Sequence, residues 1–265
     1  MNYNMKRINF NILFILISIA TLLIIHNYFM YSHIFEDVSA WGTFYTVFGV
    51  LYAIIAGFLI IEALSKYTSL QSLIEEEINN LQDMRDLVIY LSCEPKIVQK
   101  IIYELQGYVQ SISTIEWDSM KKGNKVGNSD TTKEMYEIFD AINNMSLEDK
   151  KDEIALKLLM QKMTEITTLR TKRISVATQK LPYSLKILLY FMSSTLILGL
   201  MLMGVHSVIV HIFMVVSLII SVQLLNSIIV DIDNPFEGLW KIDPTLFQDF
   251  SKTLENQHKK LKNLE

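Results

Sequence analysis

Four long apolar runs, arranged as two pairs, flank one charged block. The runs cover about Ile8–Met30, Thr43–Ala63, Tyr183–Met203 and His206–Val230, and the block is Leu64–Leu181. About 20 consecutive apolar residues cross the hydrocarbon core of a bilayer. Four such runs cannot be hidden in a soluble fold of this size. The pattern predicts an all-α integral membrane protein with four transmembrane helices in two hairpins and a helical cytosolic domain inserted between them. The expected divisions are 1–63 for the first hairpin, 64–182 for the cytosolic domain, 183–230 for the second hairpin and 231–265 for a cytosolic tail.

Within the central block the hydrophobic period is helical. Tyr67, Leu70, Ile74, Ile78, Leu81, Met84, Val88 and Leu91 recur at steps of three and four and mark one helix face. Glu75, Glu76, Glu77 and Asp86 are assigned to the other faces, as a solvated surface. Nothing breaks the pattern at the end of the second apolar run, so one long helix is expected to leave the membrane and stop before Pro95. A second helix follows, with Val98, Ile101, Leu105, Tyr108, Ile112 and Ile115 inward at near-heptad spacing. Lys121–Thr132 reads as a polar loop and about Glu134–Asn144 as a shorter helix. Ser146-Leu147-Glu148-Asp149 looks like a capping sequence. It would open a long helix reaching Gln179, with Ile154, Leu158, Met163, Ile166, Leu169 and Ile174 inward and Pro182 at its junction with the third span. No useful stretch alternates with period two, so no sheet is expected. The apolar stripes of the two long helices must be covered by each other, by the shorter helices or by neighbouring subunits.

Charge placement sets the orientation. Lys6 and Arg7 precede the first run, whereas Tyr31–Gly42 carries Glu36 and Asp37 but neither Lys nor Arg. Both termini and the central block are therefore expected on the cytosolic side of a bacterial inner membrane. A cleaved signal peptide is the other reading of the first run, since Val38-Ser39-Ala40 offers small residues. The run is long enough to span, and Glu36 and Asp37 separate it from that site, so an uncleaved span is favoured. A net charge of −4 argues against nucleic-acid binding. With Cys93 as the sole cysteine, no disulfide can form within one chain, and a structural thiol is the simpler reading.

Candidate chemistry is sparse. His26, His33, His206, His211 and His258 are scattered, and no phosphate loop, nucleophile elbow or zinc-protease motif is present. An enzyme reading has no positive support, and no cofactor or metal is expected. The second span is more informative. Gly49, Ala53 and Gly57 lie four apart, with an aromatic stripe of Tyr45, Phe48 and Tyr52 elsewhere on the helix. Such a row admits close approach by a neighbouring helix, or it lines a pore. Glu62, at the inner end of this span, is costly near hydrocarbon unless it meets water or a partner. Ser193, Ser194 and Thr195 on the third span, and Ser217, Ser221, Gln223, Asn226 and Ser227 on the fourth, read as interhelical hydrogen-bonding groups or as a polar permeation surface. Beyond the fourth run, Asp231 and Asp233 are expected to pair with Arg170 or Arg173. Pro235 stops the helix, Phe236 and Trp240 suit the interface, and Gly238 permits a tight turn. With Glu237 the two aspartates make a calcium site conceivable, but the alternating ligand pattern is missing.

This closing segment, Asp233-Asn234-Pro235-Phe236-Glu237-Gly238, resembles the end of the bestrophin-like domain of unknown function, a family of four-span proteins. Glu76, Glu77, Leu81 and Arg85 after the second span, Tyr108 followed by Glu116-Trp117, and Arg170 and Arg173 before Pro182 resemble further pieces of it. The resemblance covers about Gly42–Phe247. It implies spans continuing into a cytosolic helical domain, and it admits a homo-pentamer around an axial pore. The expected function is a homo-oligomeric ion channel, with the lipid bilayer and permeating ions as its partners. The alternative is a non-conducting scaffold or sensor whose cytosolic bundle binds a protein.

Overall fold

The computed structural model describes residues 20–21, 23–24, 38–90, 95–122, 130–143, 150–203, 205 and 207–262. All their regular structure is helical. We number the helices α1 (Val38–Ile89), α2 (Pro95–Ser111), α3 (Trp117–Lys121), α4 (Asp130–Asn143), α5 (Lys150–Thr178), α6 (Tyr183–Leu202), α7 (Val208–Asp233) and α8 (Thr245–Lys262), with a π-helical turn at Ile112–Glu116. Among the described residues three stretches are long and apolar enough to cross a membrane: Ser39–Ile89, Asp152–Leu202 and Val208–Asp233. The first expected span falls mostly outside the described residues. So do Lys6, Arg7, His26, His33, Cys93, the Ser146–Asp149 cap, His206 and most of the polar loop.

The chain divides into two compact units, Met1–Ser65 with Lys180–Trp240, and Lys66–Gln179 with Lys241–Glu265. In the first, α6 and α7 pack against each other, and the membrane part of α1 turns Tyr52, Ala56, Leu59 and Ala63 inward. Small residues permit the close approach. A Cβ on Gly199 would lie 3.1 Å from the Tyr45 ring and 3.3 Å from that of Trp41. Tyr45 donates to the carbonyl of Leu196 at 2.6 Å. His211 Nε2 lies 2.8 Å from the carbonyl of Leu200, and because a carbonyl only accepts, Nε2 carries the hydrogen. Pro182, with no N–H and an extended backbone, separates α5 from α6, as its place in the sequence predicts. The fourth apolar run reaches further than expected. α7 continues to Asp233, so Asp231 and Asp233 lie in its last turn, not beyond it.

In the second unit, α2 packs on α4 and α8. The stripe read from α1 is inward at Leu70, Ile74, Ile78, Leu81, Met84 and Val88. α8 buries Phe247, Phe250 and Leu254. Phe247 meets the Trp117 ring edge-on at 6.1 Å and lies 5.5 Å from the Arg173 guanidinium carbon, while Arg85 covers Phe250 at 5.7 Å.

Several expectations are corrected here. Pro95 opens α2 instead of only ending α1, since a first-turn residue needs no N–H partner. The shorter helix begins at Asp130, so the last residues assigned to the loop are helical. On α5, Ile154 and Leu158 are exposed, and the inward row is Leu159, Met163, Ile166, Leu169, Arg173 and Ala177. Ile115, expected inward, is exposed, and the buried positions at the wide turn Ile112–Glu116 and just after it are Ile112, Glu116 and Trp117. Glu77, expected on a solvated face, is fully buried.

Candidate functional site

Three arrangements of side chains stand out, each within one unit. The first is the row on α1. Ala53 is exposed, and a Cβ placed on Gly57 would meet nothing within 4 Å, whereas one on Gly49 would reach the Leu196 side chain at 4.0 Å. Among the described residues, a neighbouring helix therefore approaches the row at Gly49, and none approaches Gly57 within 4 Å. Glu62 is exposed. The aromatic stripe divides. Tyr52 is buried with its hydroxyl 3.4 Å from Ser193 Oγ, and Phe48 stacks on Phe44, which stacks on Trp41. The polar groups of α6 and α7 mostly serve their own packing. Asn226 Nδ2 donates to Ser193 Oγ at 3.4 Å, and Ser194, Thr195 and Ser221 donate to carbonyls one turn back in their own helices.

The second arrangement closes α7. Asp233 is buried. Its Oδ2 takes the Lys186 ammonium at 2.6 Å and its Oδ1 takes the Leu181 N–H at 2.8 Å. The partners seen for Asp233 lie within its own unit, where the sequence led to Arg170 or Arg173 being expected. Lys186 is the one charge in Tyr183–Leu202, and a lone charge in an apolar helix calls for a counter-ion close by. Asn234 caps α7, the Glu237 N–H returns to the Asn234 carbonyl at 3.1 Å, and Pro235 and Phe236 are buried. Gly238 adopts φ +91° against the Asp231 carboxylate. Asp233→Ala should lower stability by about 1–3 kcal/mol, since it orphans a buried N–H and strips Lys186 of its anion. Asp233→Asn, which can still accept from Leu181, should lose less. Thermal unfolding in detergent reads both, and equal midpoints for all three proteins would contradict the pairing.

The third arrangement is a buried charge network in the second unit. Arg173 is fully buried. Its Nε donates to Glu77 Oε2 at 2.6 Å, and its Nη2 donates to Glu77 Oε1 at 3.4 Å and, at shorter range, to Glu116 Oε1. Arg170 Nε donates to Glu116 Oε2 at 2.8 Å. Tyr108 donates to Glu77 Oε1 at 3.2 Å, and Arg173 Nη1 points at Met120 Sδ at 3.5 Å. Glu77 and Glu116 are as buried as Arg173, and only Arg170, at 15% exposure, touches solvent. Two cations and two carboxylates leave the cluster neutral, which is how buried charge is tolerated. Burial raises the carboxyl of Glu77, with Arg173 pulling the other way. Burial also opposes the Arg173 cation, but Glu77 and Glu116 outweigh it and hold its pKa above the ordinary value. An arginine does not give up its proton in a protein, so the Arg173–Glu77 pair is ionic. The Tyr108 hydroxyl is pushed well above its usual range, by burial first and then by the two carboxylates, and it remains a donor.

Of the residues singled out in the sequence, Asp233, Pro235, Phe236 and Gly238 come together in the first unit, while Arg170 and Arg173 join Glu77 and Glu116 in the second. Lys186 and the role of Glu77 were not foreseen. Among the described residues no group of three or more His, Cys, Asp or Glu side chains is placed to hold a metal ion.

Comparison with protein families matches the bestrophin-like domain to residues 12–247. No curated protein matched the sequence. Among solved structures, a glycine-to-alanine variant of a membrane protein superposes with a TM-score of 0.77 at 14% identity, over 95% of this chain and 98% of that one. A tryptophan-to-alanine variant of a bacterial bestrophin homologue from Klebsiella pneumoniae gives 0.72 at 14% identity, over 98% and 99% of the two chains. A further structure of the Klebsiella pneumoniae homologue, phased on zinc, gives 0.73 at 14% identity, over 95% and 98%. At this identity the structural likeness speaks for the fold. The family match spans most of the sequence and agrees with the closing motif after α7, and on it the chain belongs to the bestrophin-like family of membrane proteins.

Proposed function

We propose that the chain is one subunit of a homo-oligomeric ion channel in the bacterial inner membrane, with the second transmembrane helix, the first part of α1, lining the pore. The observation that carries this reading is the open side of that helix. Ala53 and Gly57 are left uncovered by the described helices, and Glu62 follows at the inner end. In a lone subunit these positions would give lipid little to pack on. Around an axis shared by several copies, small side chains let the helices gather closely and leave room for ions. Water at the inner mouth would also satisfy Glu62, which is costly against hydrocarbon.

A ring of Glu62 carboxylates at that mouth draws cations and repels anions. Glu62→Gln should therefore shift the reversal potential of the purified protein in planar bilayers toward anions, or change its unitary conductance. Ala53→Phe and Gly57→Leu should abolish flux or disrupt assembly. The oligomer size in detergent is measured alongside. A monodisperse monomer, or oligomers that pass no ions of either sign across the voltage range, would defeat the proposal.

A further inference from the structure

Helix length places the turn after α7 relative to a bilayer. α6 has 20 residues, and at about 1.5 Å each they span about 30 Å, the thickness of the hydrocarbon core. Tyr183, its first residue, therefore stands at one edge of that core. α7 has 26 residues, about 39 Å, so it outruns the core by more than one turn. Its last turn comes back to the same edge. Asp233 receives the Leu181 N–H and the Lys186 ammonium, both at the start of α6. Gly238 then folds the chain against the Asp231 carboxylate. Leu239 and Trp240, which follow it, are thus held at the same end as Tyr183.

What this end presents is apolar. Leu239 is 80% exposed, Tyr183 77% and Trp240 45%. Phe236, expected at the interface with Trp240, is buried, and Leu239 is the residue the turn holds out. Beyond Tyr183 the exposed face of α6 continues through Ile187, Phe191 and Leu198. Lys180, before the helix, is exposed as well. Aromatic rings with polar tips, an aliphatic side chain and a lysine are the chemistry of the headgroup boundary. We propose that Leu239 and Trp240, with Tyr183, form an interfacial anchor. The two side chains after Gly238 insert between lipid headgroups and the upper acyl carbons, and they fix the depth of the α6–α7 hairpin. Pro235 and the left-handed Gly238 hold the turn's backbone beforehand, so insertion costs little order.

Spin labelling reads the depth directly. On a Cys93→Ser background, Leu239→Cys carries a nitroxide. Asn256→Cys, exposed on α8, is the aqueous reference, and Leu224→Cys, exposed on α7, is the hydrocarbon reference. The full chain is placed in vesicles of phosphatidylethanolamine and phosphatidylglycerol. Relaxation is measured with oxygen, which concentrates in lipid, and with a water-soluble nickel chelate on both sides. The oxygen-to-nickel ratio at 239 should lie between the two references and exceed the aqueous one by about fivefold, as for a side chain at the headgroup boundary. Trp240→Ala should raise nickel access at 239 by about twofold, and Trp240→Tyr, which keeps a ring with a polar tip, should not. A ratio at 239 equal to the aqueous reference would place the turn in water. Protection from both reagents would mean that protein, such as a second copy of the chain, covers it. Nickel access untouched by Trp240→Ala would mean that Trp240 holds nothing in the membrane. Each of these results overturns the proposal.

Discussion

Arg173→Ala is expected to destabilise the protein by about 3–5 kcal/mol, because it leaves two buried carboxylates with a single peripheral cation between them. Glu77 would lose both of its guanidinium bonds and keep only the Tyr108 hydroxyl of the partners described above. Glu116 would retain Arg170. The Phe247 ring would lose the cation beside it as well. Arg173→Lys should recover only part of the loss. A point-like ammonium cannot serve two carboxylates and Met120 from one planar fork. Replacing Arg170, Arg173, Glu77 and Glu116 together with apolar residues of matched size should recover more than the lysine does, since the cost lies in the unpaired charge and not in the missing bonds. The measurement is the thermal unfolding midpoint in detergent, with yield of folded protein as a second readout. An unchanged midpoint for Arg173→Ala would mean that water or rearrangement already satisfies the carboxylates.

Gly238→Ala should cost about 2–4 kcal/mol, the sum of two separate penalties. At φ +91° any Cβ is strained whatever surrounds it. The space is also filled, because a Cβ there would lie 2.6 Å from Asp231 Oδ1 and 2.8 Å from Asp231 Cγ. The carboxylate is buried and close to its own backbone, so it has little freedom to withdraw. The two penalties separate in a double-mutant cycle. On an Asp231→Ala background the clash is gone and only the backbone strain remains, so the added cost of Gly238→Ala should fall by about half. Strict additivity would show that the carboxylate moves aside freely.

Membrane-length apolar runs and the long helical period of the central block make the helices legible, because both are repeated over many residues. The register of single positions is harder. Met163, Ile166 and Leu169 are covered as the stripe read along α5 has them, yet at its start Ile154 and Leu158 are exposed and Leu159 is buried instead. Which side of a helix is covered depends on neighbours that no local pattern names. Ile115 is misread for a related reason. The buried face of α2 also includes Ile102 and Val109, and the covered position after Ile112 belongs to Glu116. Glu77 was misread through its charge. Its spacing from Leu70 and Met84 is seven residues each way, which puts it on the buried stripe, but a glutamate there looks like solvent until an arginine from another helix is known to meet it. The closing turn after α7 was the most legible part of the candidate site, since Pro235 fixes its own φ and Gly238 permits the left-handed turn that follows. Its electrostatic partner was not legible, because Lys186 lies 47 residues away in sequence.

The neutral network also restricts how this sequence can drift. Arg173, Glu77 and Glu116 are each tolerable only because the others are present. A wholly apolar core of the same volume could be as stable, but single substitutions reach it only by way of a protein that carries a lone charge in its interior. The cluster is therefore a trap in sequence space: easy to keep, expensive to leave one step at a time, and open to replacement only by simultaneous change at several positions. A library that varies Glu77, Glu116, Arg170 and Arg173 together should yield folded solutions that one-at-a-time scanning of the same positions would never find.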